Sequence, residues 1–70
     1  MLTIQPYDSA DDRLTPRERQ VCKLAVRRNT DAQIARELNI SVRTVHAHLR
    51  SAYIKLGIRT RRDLPPPNEL

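Results

Sequence analysis

The chain has no phenylalanine, no tryptophan and only two tyrosines among its 70 residues. A core of this size is marginal, and without large aromatics it has to be filled by leucine, isoleucine, valine and alanine. The single cysteine, Cys22, excludes an internal disulfide and suits a reducing compartment. No apolar run approaches the roughly 18 residues of a membrane span, and no signal-peptide hydrophobic segment is visible. These absences predict a cytoplasmic domain that does not cross a membrane. Also missing are a carboxylate pair, a nucleophile–base constellation and a glycine-rich phosphate loop, so no enzymatic activity is expected. His46 and His48 stand two residues apart and diverge by roughly 200° on a helix, which prevents them from sharing a metal ion. No cofactor is expected.

Charge is unevenly spread. Residues 1–13 carry a net −2, with Asp8, Asp11 and Asp12 against Arg13. Residues 14–64 hold twelve lysines and arginines against Glu18, Asp31, Glu37 and Asp63, a net +8. Residues 65–70 add only Glu69. A compact stretch with that cationic excess is the electrostatic footprint of a polyanion binder. The acidic leader, broken by Pro6 and without a sustained period, reads as flexible or as the stub of a linker.

Helical signals then follow in order. Thr15 is placed to cap a first helix, with Pro16 at its first position and Glu18 three residues after the cap, a capping box with Leu14 as staple. Val21, Cys22, Leu24 and Ala25 form its inward stripe, while Arg17, Arg19, Lys23 and Arg27 face outward. Cys22 therefore reads as a small core residue. The helix should stop near Arg28 and Asn29, with Asn29 as the left-handed residue. Thr30 or Asp31 caps a short second helix over residues 32–38, whose inward residues are Ile34, Ala35 and Leu38. After the tight turn Asn39-Ile40-Ser41, Thr60 is placed to cap a final helix starting at Arg61, which Pro65-Pro66-Pro67 ends. Residues 65–70 read as an extended, unpacked tail.

The stretch from Ile40 to Gly57 organises the rest. Ser41 is a good N-cap, and Gly57, the only glycine, falls where a helix end favours a left-handed residue. At roughly 100° per residue, Val45, His48, Leu49, Ala52 and Leu56 gather on one side. Arg43, His46, Ala47, Arg50 and Ile54 gather on the other. One side can dock on a core, and the other offers cationic and hydrogen-bonding groups beside a small residue that permits close approach. A helix that reads the major groove of DNA needs those properties. Two helices joined by a turn of about three residues, the second amphipathic, form a helix-turn-helix.

Five short pieces at consistent spacing resemble the LuxR/GerE-type helix-turn-helix domain of bacterial transcription regulators. They are Leu14-Thr15-Pro16-Arg17-Glu18-Arg19-Gln20-Val21, Thr30-Asp31-Ala32-Gln33-Ile34-Ala35, Leu38-Asn39-Ile40-Ser41, Thr44-Val45-His46-Ala47-His48 and Lys55-Leu56-Gly57-Ile58. The resemblance spans residues 14–64 and implies an all-α, small four-helix bundle containing the helix-turn-helix. It implies sequence-specific double-stranded DNA binding, with the third helix, about residues 42–56, in the major groove. By position, His46, Ala47 and Arg50 match base-reading residues, and Arg43, Thr44 and Lys55 match positions that hold the phosphate backbone. Thr30 and Ser41, at two helix starts, offer hydroxyl and N–H donors to phosphates. Glu18 is expected to be structural, paired with a neighbouring arginine or completing its capping box.

Three departures from the family pattern stand out. Arg28 replaces the usual glycine after the first helix. His46 replaces a common lysine or arginine, which makes the contact pH-sensitive or makes His46 a neutral donor to a purine. The fourth helix, often a dimer contact in the family, is truncated to about one turn. The domain is accordingly expected to be a monomer in solution or a weak dimer on DNA. The competing expectation is a protein-interaction module that docks its arginine-rich surface on RNA polymerase or a partner regulator.

Overall fold

The computed structural model describes residues 13–70; the expected acidic leader lies almost wholly outside them. Three α-helices, α1 (Pro16–Val26), α2 (Asp31–Leu38) and α3 (Val42–Leu56), are followed by 3-10 turns at Arg61–Asp63 and Pro67–Glu69. No strand is present among the described residues. Both α1 and α2 pack on α3, which thus forms the spine of the domain.

Each α-helix starts on a hydroxyl. Thr15 Oγ1 accepts from Glu18 N at 3.1 Å while Glu18 Oε1 accepts from Thr15 N at 2.9 Å, completing the expected capping box. Thr30, rather than Asp31, caps α2, and its box is closed by Gln33. Ser41 Oγ accepts from Thr44 N at 3.0 Å.

Each α-helix also ends alike. A residue with positive φ is followed by one whose N–H reaches back five residues, the Schellman arrangement. The left-handed residues are Arg28 (φ 69), Asn39 (φ 57) and Gly57 (φ 70). The returning bonds run from Asn29 to Leu24, Ile40 to Ala35 and Ile58 to Tyr53. At the end of α1 the left-handed position therefore belongs to Arg28, not to Asn29. Asn29 instead satisfies Leu24 O twice, through its backbone N at 3.2 Å and its Nδ2 at 2.9 Å.

The core consists of Leu14, Val21, Cys22, Ala25, Ile34, Ala35, Val45, Leu49, Ala52 and Leu70. Cys22 is fully buried, as its place in the stripe predicts, and burial pushes its thiol up to about 11, with the nearby Glu18 charge adding to the effect. Two expectations for the C-terminal part need correction. The expected fourth helix is a single 3-10 turn, with bonds from Asp63 N to Thr60 O and from Leu64 N to Arg61 O. Pro65 holds Leu64 in an extended conformation (ψ 139) and the next three residues lack donors, so no α-helical bond can form. Thr60 does not cap this turn through its side chain; its hydroxyl goes to Asp63 Oδ2. The tail is not unpacked, because the turn at Pro67–Glu69 folds back on α1 and Leu70 is 7% exposed within the core. An apolar last residue beside a core short of large side chains supplies the reason.

Candidate nucleic-acid interface

α3 divides along its length as well as around its girth. Toward its start, Arg43, His46, Ala47 and Arg50 are all exposed and lie on one face. Val45 and Leu49, on the opposite face, are buried and fix the rotation of the helix. Ile54, one turn past Arg50, is 72% exposed. The face is thus cationic at its beginning, small at Ala47 and apolar at its far edge.

The residues expected to hold phosphates do not form one set. Thr44 is half-buried and its Oγ1 lies 2.9 Å from Ser41 Oγ, so the two hydroxyls share one hydrogen bond and retain one donor between them. Thr30 is exposed at the start of α2, with its backbone N–H taken by Gln33 Oε1 and its hydroxyl oxygen accepting from Gln33 N. Arg43 remains on the outer face. Lys55 does not join it. Its ammonium points across to α1 and meets Glu18 Oε1 at 2.8 Å, while its carbonyl accepts from Arg13 at 2.8 Å.

Glu18 is the hub of that second cluster. It is 5% exposed, and Ser51 Oγ donates to its other oxygen at 2.6 Å. Burial raises the Glu18 carboxyl, but donors from Lys55, Ser51 and the Thr15 backbone outweigh it and lower the group from 4.5 to about 2. Its role is structural, as expected, although the cationic partner is a lysine on α3 and not a neighbouring arginine. Ser51 was not foreseen, since the bond spans 33 residues and no local pattern encodes it.

Sequence reasoning also missed the partners of His46. Its Nε2 lies 2.6 Å from Asp31 Oδ2 in the first turn of α2. The other carboxylate oxygen, Oδ1, accepts from Arg61, whose second nitrogen donates to the Asn29 carbonyl at 2.8 Å. Burial raises the Asp31 carboxyl, yet the bonds from Arg61 and His46 leave it below its ordinary value. Arg61, read from sequence only as the start of a fourth helix, is the tie between the 3-10 turn and the α1–α2 joint. His48 is half-buried and faces away from Arg43 and Arg50, as its position in the helix predicts. No described helix is long and apolar enough to cross a membrane.

A family model for bacterial regulatory proteins of the luxR family matches residues 12–65. The chain is 48% identical over 48 residues to the spore germination protein GerE of Bacillus subtilis, covering 69% of this chain and 65% of that protein. It is 42% identical over 50 residues to the HTH-type transcriptional regulator MalT of Klebsiella pneumoniae, covering 71% of this chain and 6% of MalT. A putative HTH-type transcriptional regulator of Mycobacterium tuberculosis is 44% identical over 48 residues, 69% of this chain and 5% of the relative. The chain thus spans less than two thirds of each of these relatives.

Proposed function

We propose, from the premise that the chain belongs to the luxR family of bacterial regulatory proteins, that it binds double-stranded DNA sequence-specifically as part of a transcription regulator. In this reading α3 lies in the major groove, with His46, Ala47 and Arg50 toward base edges and Arg43 on the backbone. The observation that carries it is the single exposed face holding those four residues, set against a buried Val45–Leu49 face. Arg50 suits the O6/N7 edge of guanine, a bidentate contact worth roughly 1–3 kcal/mol of discrimination. Ser41 and Thr44 bring hydroxyls to the start of α3, and Thr30 brings one to the start of α2. Lys55 drops out of the phosphate set, because its charge is spent on Glu18.

A binder of this kind is not an enzyme and needs no cofactor, and a cytoplasmic location follows from the same reading. With so short a C-terminal turn, the domain is a monomer in solution that pairs at most weakly on adjacent half-sites. In vitro selection of bound duplexes from a random pool tests the reading. The expected result is one enriched site whose Arg50-dependent base pair loses its preference in Arg50→Ala. With about three to six phosphates contacted, log K should fall against log[salt] with a slope of roughly −3 to −5. No mobility shift on random duplex at low salt and micromolar protein would overturn it. Exposed Ile54 beside Arg50 would then favour the second reading, docking on RNA polymerase or a partner regulator.

A further inference from the structure

His46 stands on the proposed reading face, but its ring is not at liberty in how it presents itself. Asp31 Oδ2 lies 2.6 Å from Nε2, and Arg61 holds the other carboxylate oxygen while also gripping Asn29 O. A carboxylate so paired only accepts hydrogen bonds. The proton between the two residues therefore belongs to Nε2. A neutral imidazole has one N–H, so Nδ1 is left as a bare acceptor. No described residue bonds to Nδ1, and the side chain is 61% exposed. The expected neutral donor to a purine is thus already committed within the protein.

An unrestrained histidine could offer a groove either a donor or an acceptor. It would then take guanine or thymine acceptors as readily as the amino groups of adenine or cytosine. We propose that Asp31 is a specificity-determining positioning residue, which, by holding the Nε2 proton of His46, makes Nδ1 an acceptor selective for the exocyclic amino group of adenine or cytosine. The inference rests on α3 being the DNA-reading helix. Arg61 contributes by donating to Oδ1 while its other nitrogen holds Asn29 O, so that the carboxylate cannot swing away. The charged and titratable groups lining the same pocket as the ring are Asp31 from α2, Arg50 and Tyr53 from α3, Arg59 from the segment after it, and Arg61 from the 3-10 turn.

The first test needs no DNA. Long-range proton–nitrogen correlation spectra of the histidine-labelled chain at pH 7.5 read the tautomer of His46 directly. The expected result is Nε2–H with unprotonated Nδ1 in the native protein, and a mixed or inverted population in Asp31→Asn, where the introduced amide can itself donate to Nε2. A native protein with Nδ1–H predominant, or an unchanged tautomer in the variant, would overturn the proposal. The native spectrum decides even if the variant folds poorly.

The second test uses the selected duplex, changed at the one base pair that His46→Ala renders indifferent. Native protein should favour adenine or cytosine there by roughly three- to ten-fold over guanine, the scale of one neutral hydrogen bond. Asp31→Asn should erase or invert that preference while leaving the Arg50-dependent pair untouched, which a merely structural role for Asp31 would not do. Retention of the preference in Asp31→Asn overturns the proposal. Failure to bind any duplex would instead defeat the DNA-reading role of α3, and the specificity role with it, and is separable because the tautomer is measured without DNA.

Discussion

Glu18 and Asp31 each sit in the first turn of a helix and each reaches across to α3, yet their surroundings differ. Glu18 is sealed between α1 and α3 and bound by Thr15, Ser51 and Lys55. Asp31 lies at the edge, its side chain 28% exposed, and is bound by His46 and Arg61. The sealed carboxylate meets the C-terminal half of α3, which is half-buried at Ser51 and Lys55. The open one meets the N-terminal half at His46, on its exposed face. Similar chemistry thus gives a rivet in one place and an adjustable support in the other, and the dryness of the site decides which.

The strongest way to break the contrast is to remove the rivet. Glu18→Ala deletes a cap worth about 1 kcal/mol and strands Lys55 and Ser51, and a broken buried pair costs about 3–5 kcal/mol. Because Lys55 is 33% exposed and can turn to solvent, we expect the lower end, about 3 kcal/mol in all. Thermal unfolding followed by circular dichroism should show Tm falling by more than about 10 °C. A drop of only a few degrees would mean that the cluster is peripheral and the two carboxylates equivalent.

Acid should expose the same asymmetry. Glu18 ordinarily titrates near 4.5 and is lowered to about 2 in the fold. A lowered folded-state value means that its contribution is complete above 4.5 and disappears as pH falls toward 2. The displacement corresponds to on the order of 3 kcal/mol at full extent. Urea unfolding between pH 5 and pH 2.5 should show most of it, and Glu18→Gln should flatten the slope. Asp31 acts in the same direction, so Asp31→Asn should flatten it less. A steeper effect from Asp31 would reverse the assignment.

Where the sequence could be read correctly, short-range rules governed the structure. The Thr15–Glu18 box, the caps at Thr30 and Ser41, the left-handed Gly57 and the inward stripe of α3 all depend on neighbours within a few residues. What sequence does not reveal is long-range partners. Lys55 occupies a helix position suited to phosphate, but a buried carboxylate 37 residues earlier claims it. Asp31 is one of two candidate caps for α2; Thr30 takes that place, and the Asp31 carboxylate goes to His46 and Arg61, which lie 15 and 30 residues away. The proline-rich end looked unpackable because its own residues cannot form a helix, whereas Leu70 is held by the core and not by local bonds.

A pair of lysine and arginine variants sharpens the contrast on the functional side. Lys55→Met leaves Glu18 buried without its counter-charge, and should lower stability by about 2 kcal/mol. It should leave the salt slope of duplex binding unchanged. Arg43→Ala should do the opposite, with stability within about 0.5 kcal/mol of the native chain and a slope shallower by about 1. Urea midpoints and titrations at several salt concentrations separate the two. A reduced slope in Lys55→Met would return that residue to the phosphate set.

The smallest effect concerns the joint between the two clusters. Arg28 adopts φ 69 without being glycine, and the left-handed conformation costs an ordinary residue about 1 kcal/mol. Glycine relieves that strain but frees the unfolded chain, so the net gain from Arg28→Gly should be about 0.5 kcal/mol. Asn39, of a type that tolerates this region, should gain less on the same change. The informative readout is the His46 ring and amide shifts. They should stay put, because Asp31 is anchored by Arg61 and by the Thr30–Gln33 box, neither of which involves the side chain at 28. If instead His46 shifts while stability rises, the edge cluster depends on tension in this joint, and its carboxylate is set by the loop and not by its partners.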